Sequence, residues 1–141
     1  MNTRLWLLVV ITTVFSVGHH LDHIIRGNHV GWPVSDVVTP FTWSLGFYPV
    51  ILLGILLSRR GTAGPGYWAV LTAAGFLFVG LAHFGPVAVE PPADILAPYG
   101  SAAAGRLAIG WLIAFLALLL ASCMYSARRW LALRRTGPAG P

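Results

Sequence analysis

Apolar residues arrive in four long blocks, separated by short segments that hold most of the polar side chains. The first block runs from about Leu5 to Ile25, after Arg4. The second runs from about Phe41 to Leu57 and is closed by Ser58, Arg59 and Arg60. The third runs from about Tyr67 to Phe84, after the breaker Gly61-Thr62-Ala63-Gly64-Pro65-Gly66. The fourth runs from about Ala103 to Tyr125 and is followed by Arg128, Arg129, Arg134 and Arg135. Apolar runs near 18 residues, without alternation, predict helices that cross roughly 30 Å of hydrocarbon. The pattern therefore predicts an all-α integral membrane protein, one four-transmembrane-helix bundle over residues 1–135. A short disordered tail is expected over 136–141, where Gly and Pro dominate.

Composition strengthens this reading. The 141 residues are 57% hydrophobic and 9% charged, with a mean hydropathy of +0.76. A soluble domain usually carries about 25% charged residues. A formal charge of +5 and a pI near 10.4 would suit a nucleic-acid partner, but the positions argue otherwise. All nine basic residues are Arg and most flank apolar blocks, so no nucleic acid is expected. With the N-terminus in the cytoplasm, seven arginines fall on the inner side and only Arg26 and Arg106 on the outer. That is a positive-inside bias, and it predicts cytoplasmic N- and C-termini. The expected location is a cell membrane, multi-pass. Arginine without lysine, among many Ala and Gly, points to a GC-rich bacterial genome and hence a bacterial inner membrane. Trp6, Trp32, Trp43, Trp68 and Trp130 lie near span ends, where indoles favour the interface, and Trp111 lies deeper. An alternative start exists: Arg4, the apolar run and Ser16-Val17-Gly18 loosely fit a signal peptide cut before His19, leaving three spans.

The candidate chemistry is one-sided. Every carboxylate (Asp22, Asp36, Glu90, Asp94) and every histidine (His19, His20, His23, His29, His83) falls at the predicted outer end of a helix or in an outer loop. The densest stretch is His19-His20-Leu21-Asp22-His23-Ile24-Ile25-Arg26. On a helix His19, Asp22, His23 and Arg26 share one face, and His20 lies three residues from His23. Two imidazoles four apart project from adjacent turns and can hold one metal ion. Asp22 is a further ligand, an acceptor fixing a histidine tautomer, or an ion-pair partner of Arg26. His83 reaches the same level from the third helix, with Glu90 and Asp94 in the following loop and Arg106 entering the fourth. His29 lies in a Gly- and Pro-rich connection that can fold back over the mouth. Tyr48 precedes Pro49, which is expected to kink the second span and open a cavity. The plain alternative is that the histidines only end a helix and wet a loop.

Imidazole with carboxylate suits Zn, Cu or Fe, and one histidine of the first helix with His83 would suit a haem b. The single Cys123 excludes an internal disulfide and any cysteine-rich centre. Three functions follow. The first is transition-metal or haem binding at the outer mouth. The second is an enzyme acting on a lipid or isoprenoid by His/Asp/Glu acid–base chemistry. The third is an accessory subunit of a larger membrane complex. Ala102, Ala103, Ala104, Gly105, Ala108 and Gly110 permit close helix approach, within the chain or across a homo-oligomer. In length and span count the chain is similar to the DoxX-like proteins and to the sterol isomerase and sigma-2 receptor group. It shares no motif with them, so no residue role carries over.

Overall fold

The computed structural model describes residues 2–27 and 38–136. Six helices occupy them: α1 (Thr3–Arg26), α2 (Pro40–Leu45), α3 (Phe47–Arg59), α4 (Pro65–Phe84), α5 (Pro92–Leu96) and α6 (Ala102–Arg135). Four helical stretches are long and apolar enough to cross a membrane: α1, Pro40–Arg59, α4 and α6. The connection carrying His29, Trp32 and Asp36 lies outside the described residues, as does the expected tail beyond Thr136.

Local chemistry sets the helix ends. The Asn2 side chain accepts from the Leu5 amide at 3.0 Å and starts α1. Thr39 and Thr42 form a reciprocal capping box in front of α2, with Pro40 in its first turn. Ser101 accepts from the Ala104 amide at 3.1 Å and starts α6. At 34 residues α6 is about 51 Å long, which exceeds the roughly 30 Å of a hydrocarbon core.

The second span, Pro40–Arg59, carries the disruption expected of Pro49, and it is displaced to the residue before α3. The chain breaks at Gly46, and Pro49 falls in the first turn of α3, where a missing N–H costs nothing. The physical cause is the same proline: its ring excludes the carbonyl four residues earlier, that of Leu45, the last residue of α2.

Helix α6 packs against both α1 and α4, with α5 folded onto α6, while α3 leans mainly on α4. Two apolar clusters hold the bundle. Val79, Ile95, Leu112, Phe115 and Leu119 pack below the histidines, and Leu5, Val9 and Trp68 pack at the other end. Trp68 lies in the first turn of α4, near the span end as expected, and is buried within the bundle, where its indole donates to Ser58 Oγ at 3.0 Å. Two glycines mark tight approaches. A Cβ on Gly54 would stand 2.3 Å from Tyr67 Cε1, and one on Gly18 would stand 2.4 Å from Trp111 Cζ2. Trp111 stacks on Phe15 and donates to its carbonyl at 3.0 Å.

The interior also contains hydroxyls. Thr12, Ser16, Ser44, Thr72 and Ser122 are buried, and Thr12 Oγ1 meets Ser122 Oγ at 3.0 Å. Such bonds tie helices together where hydrophobic contrast with lipid is weak.

Candidate metal centre

The site is built where the last turns of α1 and α4 meet. His19 and His23 are four residues apart on α1, so their rings project from adjacent turns of one face. His83 sits in the last turn of α4 and faces them. All three are buried, at 5%, 7% and 3% exposure, which sets them apart from histidines that merely wet a loop. His23 Nε2 lies 3.2 Å from His19 Nε2, and His83 Nε2 lies 3.3 Å from the same atom. Each of the three offers a ligand atom, and all of these atoms lie within 4.8 Å of one another. Bonds of 2.0–2.1 Å at a tetrahedral angle separate ligand nitrogens by about 3.3–3.4 Å, so the two separations from His19 fit one small cation.

The outer nitrogens are held by one residue. Glu90 is 1% exposed, and its backbone amide donates to the Ala82 carbonyl at 3.1 Å, folding the loop after α4 back onto the helix. The Glu90 carbonyl accepts from His83 Nδ1 at 2.8 Å. A carbonyl only accepts, so Nδ1 of His83 carries the hydrogen and its Nε2 presents a lone pair to His19. The Glu90 carboxylate stands 3.3 Å from His23 Nδ1 and 3.5 Å from His83 Nδ1. A carboxylate behind a ligating imidazole fixes its tautomer and raises its basicity. At His23 the choice is contested, because Arg26 Nη2 also lies 3.1 Å from Nδ1. A cation on the inner nitrogen would select the tautomer that donates to Glu90.

Arg26 is the counter-charge. Its side chain is fully enclosed, its Nη1 bonds Glu90 Oε1, and its Nε donates to Asp22 Oδ2 at 2.8 Å. The hydroxyl of Tyr99 donates to the other oxygen of Asp22. One guanidinium and two carboxylates leave this trio a formal charge of −1. Asp22 therefore turns away from the three nitrogens, and the i,i+4 ion pair foreseen for it is the arrangement present. Burial, with the hydrogen bond to Asp22 and its charge, pushes the Tyr99 phenol up to about 12.

His20 belongs to a separate cluster. Its Nδ1 donates to the Ser16 carbonyl at 2.8 Å, its Nε2 meets Ser44 Oγ at 2.8 Å, and the Tyr48 hydroxyl lies 2.8 Å from Nδ1. Ser16, His20 and Ser44 border a cavity of about 60 Å³ between α1, α3, α4 and α6. A second cavity of about 40 Å³ touches His23, His83 and Glu90. Asp94 is half-buried in the first turn of α5, and Arg106 is exposed on α6. Neither belongs to the three-histidine group.

Tyr99, Ser44 and Ser16 are the polar partners that the sequence reading passed over. The available signal for Tyr99 was its place in Pro98-Tyr99-Gly100, a hydroxyl in the loop that carries Glu90 and Asp94. For Ser16 it was the i,i+4 spacing to His20 on one apolar helix. No protein-family model matches the chain, and no curated protein or solved structure matches it.

Proposed function

We propose that the chain is a small multi-pass membrane protein that binds one transition-metal ion through His19, His23 and His83. The observation that carries this reading is the meeting of two Nε2 atoms on a third at 3.2 and 3.3 Å, inside a buried pocket. A proton on His19 shared between the other two would fill the same triangle with a bent three-centre bond. A divalent ion uses all three lone pairs and also offsets the −1 of the Asp22–Arg26–Glu90 trio. Three imidazoles leave a position for water or a small ligand, the pattern of reactive rather than purely structural zinc sites. Zn, Cu and Fe all accept this donor set. Glu90 and Arg26 orient and balance the ligands.

Haem fits poorly. Two imidazoles on opposite faces of one iron stand roughly 4 Å apart, twice a metal–nitrogen bond, with a porphyrin between them. The Nε2 atoms of His19 and His83 are 3.3 Å apart and their ring centroids 5.1 Å. A lipid-processing enzyme is also less well supported. The cavity beside His20 and α3 has a volume of about 60 Å³, room for about four water molecules rather than an isoprenoid chain. By the arginine distribution the centre faces the extracytoplasmic side, with both termini inside.

The test is metal analysis of protein purified without a metal-affinity tag, followed by cobalt(II) titration of the metal-stripped form. One equivalent per chain, with an intense visible spectrum of low-coordinate cobalt that His83→Ala abolishes, is expected. No bound metal and no cobalt spectrum in folded protein would sink the reading.

A further inference from the structure

The end of the bundle opposite the histidines collects Arg4, Arg59, Arg60, Arg128, Arg129, Arg134 and Arg135, all exposed. Among the described residues none of the seven makes an ion pair. The start of α1, the α3–α4 turn and the end of α6 meet here. Asn2 Nδ2 donates to the Tyr125 hydroxyl at 2.8 Å, and Gly66 lies against the Trp130 indole. Two contiguous hollows open at this junction. One, of about 270 Å³, is bordered by Asn2, Ser58, Gly61, Pro65, Arg129 and Leu133. The other, of about 670 Å³, is an apolar groove between α3 and α4 bordered by Val50, Leu57, Tyr67, Val70, Ala74 and Trp130. Ala63 and Gly64 border both, so the polar hollow leads directly into the apolar groove. Arg134 stacks over the Trp130 ring at 4.3 Å, placing a cation at the junction.

We propose that this junction is a site for one anionic phospholipid, with its headgroup in the hollow beside Arg129 and an acyl chain in the groove beside Trp130. Seven uncompensated cations select an anionic headgroup. The groove runs along two helices long and apolar enough to cross a membrane, the surface that acyl chains would cover. An indole at the boundary is the usual marker of the headgroup level. A soluble phosphate would satisfy the arginines but leave the groove uncovered. The proposal stands whether or not the histidines hold a metal.

The test uses the full chain in phosphatidylcholine vesicles doped with a lipid brominated on its acyl chain. The lipid is either phosphatidylglycerol or phosphatidylcholine, and bromine quenches only tryptophan in contact with it. The Trp130 signal is the difference between wild type and Trp130→Phe. Expected is about fivefold preferential quenching of Trp130 by the brominated phosphatidylglycerol, one basic residue's worth of attraction. Arg129→Gln removes that preference and Arg135→Gln retains it. Equal quenching by the two lipids overturns the proposal. So does an equal loss in both arginine variants, which means diffuse attraction without a site. So does displacement of the brominated lipid by inorganic phosphate, which means a free-anion site, or a dimer in which Trp130 is shielded from both lipids.

Discussion

At the histidine end, Arg26 is enclosed between Asp22 and Glu90, and each of these three charges has a partner within the protein. At the other end, seven arginines stand exposed and paired with no carboxylate among the described residues. The comparison separates two uses of the same side chain. An enclosed arginine is held by desolvated partners and costs several kcal/mol to orphan, whereas an exposed one is screened and contributes little to the fold. Burial therefore marks which arginine builds the site and which arginines address the surroundings.

The sharpest way to break this comparison is to remove the partner of Arg26. Glu90→Gln is expected to destabilise the bundle by about 3 kcal/mol, since it weakens the compensation of a buried guanidinium. Arg129→Gln should stay within about 0.5 kcal/mol. Reversible unfolding in mixed micelles measures both, and equal effects would dissolve the distinction. Next comes the packing of the arginine end. Gly54→Ala places a methyl group into Tyr67 and is expected to cost about 1–3 kcal/mol in the same assay, because α3 must move off α4. A neutral result would mean that α3 is not seated there.

Metal affinity divides the histidines within their own end. His83→Ala is expected to abolish tight cobalt binding, and Glu90→Gln to weaken it about 10–100-fold. His20→Ala should leave it nearly unchanged, since both nitrogens of His20 are engaged with Ser16, Ser44 and Tyr48. Loss of binding in His20→Ala would move the centre. The smallest effect is at Tyr99. Tyr99→Phe removes one hydrogen bond to Asp22, worth about 1 kcal/mol. Its folded pKa lies above the ordinary 10.0, so the bond contributes fully below that pH and is lost as pH rises through about 12. In a phenolate absorbance titration, wild type minus Tyr99→Phe should show a step near pH 12 rather than near 10.

The four spans were legible because hydropathy needs only composition along a window. The His19–His23 pair was legible because helical periodicity is local. His83 could be placed at the same depth by counting residues from the turn before it. The enclosure of Glu90 was not legible. It depends on the loop folding back to bond the Ala82 carbonyl, a contact no periodicity encodes. The position of the break at Gly46, ahead of Pro49, was not legible for a related reason. A proline announces a disruption, but the helix register decides whether it lands within a helix or at the start of the next. Trp68 could be placed near a span end by counting, but its burial against Ser58 could not, since which side of the helix faces the bundle depends on tertiary packing.

The fold-back of Glu90 also bears on biogenesis. His19 and His23 emerge from the ribosome with the first span, while His83 follows 64 residues after His19, with Glu90 behind it. Neither of the first two spans can bring His83 to His19 and His23, so on the proposed reading a cation held by all three would be acquired only after the third span and its loop are in place. Occupancy of the centre would then report more than affinity. In a population of newly made chains it would count those whose spans had inserted in the right order.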